Sequence, residues 1–275
     1  MPWGVTCFCQ QRAERLQLLL VRVTQPARGP LMPGKLYLVS TPIGNLEDLT
    51  FRAHRVLQEV SVIAAEDTRH TQKLCRHYQI HTRLTSYHDF NKEEKTPVLL
   101  ELLKEGKSIA LVSDAGTPLI SDPGYFLVTR AIAINVPIVP IPGPSSVVAA
   151  LSVAGLPTDA FTFIGFLPRK SSARTRLLES LREETKTIIL FETPHRIKTT
   201  LLAIQEIFGD RRIAISRELT KAHEEIIRGT AREILLSNSS RVLKGEMTLV
   251  IQGKEKRAKR SRQDLQPGFN HRPSE

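Results

Sequence analysis

The chain has 275 residues and a formal net charge of +11, with 41% hydrophobic and 24% charged residues. This length can bury the core of one large domain or two modest ones, and the composition is that of an ordinary globular protein. No apolar run approaches the ~20 residues of a membrane-spanning helix, and the three cysteines lack the paired spacing of a zinc site, so we expect a cytoplasmic protein with free thiols and no membrane or metal association.

The first half of the chain alternates predicted strands and helices. Residues 1–34 show little periodicity and predict a flexible extension. The predicted strands that follow are residues 36–40, 62–65, 83–87, 109–113 and 137–141. The predicted helices between them are residues 48–60, 68–78, 93–105 and 125–135. This alternation predicts a largely parallel sheet with helices on both faces, in an amino-terminal α/β domain of residues 35–144.

The second half predicts another α/β domain, residues 145–253, followed by a tail. It opens with a helix that ends at Ala154. Its predicted strands are residues 161–166, 187–191, 212–216 and 247–252, with a hairpin-like segment at 224–228. Its other predicted helices are residues 172–183, 194–208 and 230–237. Residues 254–275 predict a disordered basic tail.

Much of the positive charge lies at the two ends of the chain. Residues 1–34 carry +3 and residues 254–275 carry +4, which leaves +4 for the body between them. Lys and Arg make most contacts to phosphate groups, so this charge is compatible with a polyanionic partner. A solvated basic tail explains it equally well.

The long loop at residues 113–124 is the most informative local feature. It follows a predicted strand and precedes a predicted helix, which is where α/β proteins bind ligands. The loop is longer than a simple connection requires. Gly116 and Gly124 allow a ligand to approach the backbone, and Asp114 and Asp122 offer carboxylates to hydroxyl or ammonium groups. The chain has neither the dinucleotide-binding G-x-G-x-x-G fingerprint nor a phosphate loop, so NAD and ATP are disfavoured.

The loops after the strands carry further motifs in a fixed order. They are TPIGNL at 41–46, AAEDTRHT at 64–71, LVSDAGTP at 111–118, ISDPG at 120–124, PGPS at 142–145, GFLP at 165–168, Glu192, HR at 195–196, RELTK at 217–221 and GE at 245–246. In these motifs the chain resembles the ribosomal RNA small subunit methyltransferase I family, which has the tetrapyrrole-methylase fold. The resemblance covers about residues 36–253, and several long motifs in order are far more specific than one short pattern.

The resemblance implies a tetrapyrrole-methylase-like α/β fold, with two α/β domains and S-adenosylmethionine in the cleft between them. It also implies a cytoplasmic homodimer that 2′-O-methylates a cytidine ribose of 16S rRNA, at decoding-region position 1402, with the rRNA or the small ribosomal subunit as partner. The residues at the family's cofactor positions are Ile43, Asp114, Ile120, Ser121, Ser145, Ser146, Phe191, Leu219 and Met247. Burial in the core explains Phe191, Leu219 and Met247 equally well.

Methyl transfer to a ribose hydroxyl requires in-line alignment and gains from a proton acceptor, but it needs no metal. The family pattern suggests Glu66, Asp67, Lys221 and His223 as candidate acceptors. Lys221 requires a lowered pKa for this role, and Glu66 and Asp67 could instead hold Arg69 in a structural ion pair.

Several basic residues are candidate contacts to RNA phosphates. They are Arg69, Lys170 and Arg196, with Lys73, Arg76, Arg169 and Arg174 as further candidates. Each of them is explained equally well by ordinary surface charge.

Two alternative functions remain open at this point. One is a tetrapyrrole or diphthamide-type methylase of the same fold, although the first and third loops, TPIGN at 41–45 and SDA at 113–115, lack the Gly-Asp-Pro pattern usual in tetrapyrrole enzymes. The other is a non-catalytic RNA-binding assembly protein, although intact cofactor loops argue against it. The chain also departs from the family in its longer amino-terminal extension and in a basic tail where relatives often carry a small helical domain.

Overall fold

A computed structural model describes residues 33–255, which form two five-stranded sheets flanked by helices. Almost all of the predicted extension and tail lie outside the described residues. Residues 33–34 and 254–255 are the exceptions, and among them the Gly34 N–H donates to the Leu103 carbonyl (2.7 Å) and the Lys254 N–H donates to the Glu184 carbonyl (2.6 Å). The domain boundaries given above stay predictions. None of the described helices has the length and apolarity needed to cross a membrane.

The first sheet is entirely parallel, with strand order β3-β2-β4-β1-β5. Its strands are β1 (Leu36–Val39), β2 (Val62–Ala65), β3 (Leu84–Ser86), β4 (Ile109–Val112) and β5 (Ile138–Ile141). Its helices are α1 (Phe51–Glu59), α2 (Thr68–His77), α3 (Lys92–Lys104) and α4 (Tyr125–Ala133). All residues of β2 and β4 are buried, as expected of parallel strands covered on both faces. The parallel α/β architecture predicted for this half is confirmed.

The helix predicted at 48–60 begins later than its apolar spacing suggested. Thr50 is its N-cap, and the Thr50 hydroxyl accepts a hydrogen bond from the Ala53 N–H (3.1 Å). The preceding residues form a separate 3₁₀ turn, Leu46–Asp48. A capping threonine satisfies a free backbone donor and therefore fixes where the helix starts.

The second sheet is mixed, with strand order β6-β7-β10-β8-β9. Its strands are β6 (Phe161–Phe166), β7 (Thr187–Glu192), β8 (Arg212–Arg217), β9 (Glu225–Thr230) and β10 (Met247–Ile251). Only β6 and β7 pair in parallel, because β10 runs antiparallel between β7 and β8, and β8 and β9 form a hairpin. Strand–helix alternation alone therefore does not describe this half, because β8 and β9 are joined without the helical crossover that a parallel pair requires.

Helices cover both faces of the second sheet. They are α5 (Ser146–Ala154), α6 (Ser171–Ser180), α7 (Ile197–Phe208) and α8 (Ala231–Ser237). Along β10, Leu249 and Ile251 pack with α6–α8, whereas Val250 packs with α5. This alternation follows the two-residue period of a strand. Because α5 follows β5 directly and packs on the second sheet, residues 142–145 connect the two sheets.

Candidate active site

A cavity of about 340 Å³ lies between the two sheets. One wall comes from the carboxyl ends of β1, β2, β4 and β5 and the loops that follow them. The other wall comes from the ends of β6–β8, the start of β10 and the turn after β8. The residues predicted at the cofactor positions all line it, namely Ile43, Asp114, Ile120, Ser121, Ser145, Ser146, Phe191, Leu219 and Met247. A larger open groove of about 800 Å³, at the far end of the second sheet, contains none of the motif residues.

The backbone around the cavity is held in uncommon conformations. Leu119 (φ 73°) and Ser121 (φ 67°) in the long loop, and Glu218 (φ 50°) and Thr220 (φ 66°) on the opposite wall, are left-handed. The described residues contain only two other non-glycine residues with positive φ, so four of the six flank this cavity. Each costs on the order of 1 kcal/mol, and such strain tends to concentrate at functional sites.

Two glycines allow the walls to meet. A Cβ on Gly44 would lie 2.5 Å from Lys221 Cγ and 2.9 Å from the Leu219 carbonyl oxygen. A Cβ on Gly165, in the bulge of β6, would lie 2.8 Å from Ser121 Oγ. Neither position has room for a side chain without movement of its neighbours.

Three carboxylates form one end of the cavity: Glu66, Asp114 and Asp122. Asp114 Oδ1 accepts the Asp67 N–H (3.0 Å), and Glu66 Oε2 accepts the Asp114 N–H (3.4 Å). Burial raises the pKa of Glu66. Burial also raises the pKa of Asp122 to about 6, opposed by the Ser113 hydroxyl and reinforced by the charges of Glu66 and Asp114. This end of the cavity therefore favours a cationic ligand group.

The opposite end of the cavity is apolar and aromatic. Phe166 and Phe191 lie edge to face, with ring centroids 5.5 Å apart, and Leu219 and Met247 complete the surface. The Ser216 hydroxyl also lines this wall and is buried without a hydrogen-bond partner among the described residues. A flat apolar ligand group with polar edges fits this end, because it can pack on the rings and satisfy that hydroxyl.

Asp67, predicted as a candidate base, lies outside the cavity lining. It is the N-cap of α2, where its carboxylate accepts the Arg69 N–H (2.8 Å) and pairs with the Arg69 guanidinium (2.7 Å). The Arg69 side chain holds the pKa of Asp67 well below its usual range. The geometry therefore favours the ion-pair interpretation for Asp67, whereas Glu66 faces the cavity.

Lys221 lines the cavity, but its environment contradicts the lowered pKa that a base requires. Burial acts to lower its pKa, yet two carboxylates outweigh this effect and the net pKa is raised. Lys221 Nζ lies 3.0 Å from Glu218 Oε1 and 2.8 Å from Glu246 Oε2. Lys221 is thus a paired cation, and His223 next to this turn is exposed and lies outside the lining.

Arg196, predicted to contact RNA, is instead engaged within the fold. Its Nη2 donates to the Leu167 carbonyl (2.7 Å), and its Nε lies 3.5 Å from Glu192 Oε1. Glu192 is buried and also accepts the Thr200 hydroxyl (2.6 Å). The GFLP, Glu192 and HR motifs are therefore one structural cluster.

The other predicted RNA contacts stay predictions. Lys170 and Arg69 are exposed, and Arg69 pairs with Asp67.

Sequence reasoning left some cavity residues unassigned. Asp122 is one of them: the sequence offers it as an available carboxylate, and its place within the ISDPG motif is the signal that assigns it to the cavity. Ser216 and Thr248 carry no sequence signal, because they are single polar residues in apolar strands. Within residues 33–255, no three His, Cys, Asp or Glu side chains are grouped so that they could hold a metal ion.

Comparisons with known proteins agree with this architecture. Residues 35–235 match the family model of tetrapyrrole (corrin/porphyrin) methylases. The proteins named ribosomal RNA small subunit methyltransferase I in Halalkalibacterium halodurans and Thermotoga maritima are 52% and 47% identical to this chain. The first alignment covers 80% of this chain and 76% of the relative, and the second covers 81% and 100%.

Solved structures show the same fold at low sequence identity. A cobalt precorrin-4 methyltransferase has a TM-score of 0.61 at 20% identity, covering 83% of this chain and 98% of that one. A diphthine synthase has a TM-score of 0.63 at 15% identity, covering 80% and 90%.

Proposed function

This chain belongs to the tetrapyrrole methylase family and, within it, to the ribosomal RNA small subunit methyltransferases I, and from this premise we propose that it transfers the methyl group of S-adenosylmethionine to the 2′-hydroxyl of a cytidine in 16S rRNA. The observation that carries the proposal is the cavity between the sheets. The nine residues at the family's cofactor positions all line this cavity, although they come from widely separated segments of the chain.

The chemistry of the cavity fits S-adenosylmethionine. The apolar end, with Phe191 and Met247, suits the adenine ring, and the unpartnered Ser216 hydroxyl offers a hydrogen bond to a polar edge. The carboxylates of Glu66 and Asp114 suit the positively charged sulfonium and ammonium groups. We therefore assign the adenine to the second sheet and the reactive end to the first.

S-adenosylmethionine supplies a methyl group already activated on a positively charged sulfur, so the protein mainly has to bind and orient it. Leu119 and Ser121 fix the long loop against one side of the cavity through their left-handed backbone. Gly44 and Gly165 allow the two walls to come into contact. A rigid enclosure of this kind favours transfer by holding the reactants in line.

The finer parts of the assignment are proposals that rest on the family. They are cytidine 1402 of the decoding region as the acceptor, a homodimer as the active assembly, and the cytoplasm as the location of the ribosomal substrate. Arg69 and Lys170 are the exposed basic residues proposed to contact rRNA phosphates.

The alternative functions have weaker support. The tetrapyrrole and diphthine methylases are similar to this chain only at 15–23% identity, which supports a shared fold, whereas the ribosomal RNA methyltransferases reach 52%. A non-catalytic binding protein gives no reason for the strained, ligand-shaped cavity described above.

A label-transfer experiment tests the proposal. Purified protein is mixed with S-adenosylmethionine labelled in the methyl group and with small ribosomal subunits that lack the modification, free 16S rRNA or uroporphyrinogen III. We expect label in ribosomal RNA and none in the tetrapyrrole. Label in the tetrapyrrole alone, or cofactor binding without transfer to RNA, contradicts the rRNA assignment.

A further inference from the structure

Methyl transfer to a ribose hydroxyl releases a proton that some group must accept. The contacts of the side chains around the cavity exclude several of the candidate acceptors. Asp67 is held by Arg69 outside the cavity lining, and Lys221 is a cation paired with Glu218 and Glu246. Glu192 and Glu246 also line the cavity, but Glu192 is held by Thr200 and Arg196, and Glu246 pairs with Lys221. The carboxylates that remain as proton acceptors are those of Glu66, Asp114 and Asp122.

Asp122 differs from Glu66 and Asp114 in the hydrogen bonds that its carboxylate accepts. Asp114 accepts the Asp67 N–H, and Glu66 accepts the Asp114 N–H. Each of these backbone donors occupies one acceptor site of its carboxylate. Within residues 33–255, no backbone N–H donates to the Asp122 carboxylate, and the nearby Ser113 hydroxyl acts to lower its pKa. It is therefore the carboxylate with the most acceptor capacity left for a ligand.

The backbone holds Asp122 in place. Ser121 before it is left-handed (φ 67°), and Pro123 after it has a fixed φ. Gly124 (φ 136°) packs so closely on β4 that a Cβ there would lie 2.7 Å from Leu111 Cδ2. The backbone at Asp122 is therefore constrained on both sides, which keeps the base of its side chain at the cavity wall.

We propose that Asp122 is the catalytic residue that accepts the proton of the ribose 2′-hydroxyl, which rests on the function proposed above. As the O–H bond breaks, its proton moves to the Asp122 carboxylate, and the oxygen electron pair forms the new bond to the methyl carbon. The bond between that carbon and sulfur breaks with its pair left on sulfur. A cation and an anion thus become a neutral thioether and a neutral carboxylic acid, which later loses its proton to water.

The electrostatic surroundings suit this role. Burial raises the pKa of Asp122 to about 6, so the group is ionised at neutral pH and is a stronger base than an ordinary carboxylate. Glu66 after β2 and Asp114 after β4 face it and add to this effect. Lys221 on the opposite wall is already paired. At low S-adenosylmethionine, where most of the enzyme is free, the transfer rate is therefore expected to rise as the pH increases through about 6 and then to level off, and the bound sulfonium is expected to shift this rise to lower pH.

The first test is the single-turnover rate of Asp122→Asn with unmodified small ribosomal subunits. We expect a fall of about 10²–10⁴-fold, the usual contribution of a general base, and loss of the rise with pH. Asp122→Glu keeps the carboxylate and is expected to recover part of the rate. Asp159→Asn, in an exposed loop before β6, is the matched control and is expected to behave as wild type.

The second test uses binding rather than activity. Calorimetry of S-adenosylmethionine binding at pH 6, in two buffers of different ionisation enthalpy, counts the protons released. A nearby sulfonium favours the ionised carboxylate, so we expect wild type to release protons and Asp122→Asn to release fewer. S-adenosylhomocysteine, whose sulfur is neutral, is expected to release fewer protons from wild type. Equal proton release by Asp122→Asn and wild type contradicts the placement of Asp122 beside the sulfonium.

The two proposals fail in different ways. If wild type transfers no label to ribosomal RNA, the function proposed above is wrong. If wild type transfers label and Asp122→Asn keeps both its rate and its pH profile, the role of Asp122 is wrong. A loss confined to Glu66→Gln also contradicts it and assigns the proton to Glu66.

Discussion

At the scale of single residues, the raised pKa of Asp122 means that its ionised form lowers the free energy of unfolding of the ligand-free protein. Its pKa in the fold, about 6, lies above the ordinary value of 3.8, so the fold favours the protonated form. That contribution to stability is present at low pH and is lost as the pH rises through about 6. We expect Asp122→Asn to increase the free energy of unfolding at pH 7.5 by on the order of 1 kcal/mol after allowance for solvent screening, and by less at pH 5.

Denaturant unfolding at the two pH values measures this change. Asp159→Asn serves again as the control, with no expected difference between pH 5 and pH 7.5 beyond that of wild type. A variant at Asp122 that is less stable than wild type at pH 7.5 contradicts the proposed burial of an unfavourable charge.

Arg196 offers a second test at this scale, because the structure gives it a stabilising role in place of RNA contact. Its removal leaves the buried Glu192 carboxylate without its cation and the Leu167 carbonyl without a donor. We expect Arg196→Ala to lower the free energy of unfolding by about 3 kcal/mol. Lys170→Ala, at an exposed position, is expected to change stability by less than about 0.5 kcal/mol. Wild-type stability of Arg196→Ala, together with weaker RNA binding, contradicts this interpretation.

At the scale of elements, the contact between the loop after β1 and the turn after β8 holds the cavity closed. A Cβ on Gly44 would press on Lys221 and the Leu219 carbonyl. We expect Gly44→Ala to separate these segments and to weaken S-adenosylmethionine binding at least tenfold, which is ~1.4 kcal/mol, as measured by calorimetry. Gly155→Ala, at a left-handed position with open space around it, is expected to cost about 1 kcal/mol of stability without changing cofactor affinity.

The sequence predicted the parallel sheet well, because each strand and helix there follows the previous one and leaves its loop at the same edge. It could not predict that β10 lies between β7 and β8, since that pairing joins segments far apart in the chain. The state of Lys221 was hidden for the same reason, because Glu246 lies 25 residues further along the chain and comes beside Lys221 only when β10 pairs with β8. Local sequence patterns identified residues that line the cavity. The ion-pair partners of those residues could not be predicted, because they come from distant segments of the chain.

At the scale of the whole molecule, the cavity is built from both sheets, so a bound cofactor should stabilise both. At one hundred times its dissociation constant, S-adenosylmethionine is expected to add about 2.7 kcal/mol to the free energy of unfolding. Hydrogen exchange should slow in residues 113–124 and in residues 218–221 together. Protection limited to one of these segments contradicts a site shared by the two walls.

The most direct test of the central claim is to locate the transferred methyl group. Small ribosomal subunits lacking the modification are treated with the protein and S-adenosylmethionine, and the 16S rRNA is digested to nucleosides and fragments for mass spectrometry. The account predicts a methyl group on the ribose 2′-oxygen of a decoding-region cytidine. A methyl group on a base, on another nucleotide, or on no RNA product contradicts it.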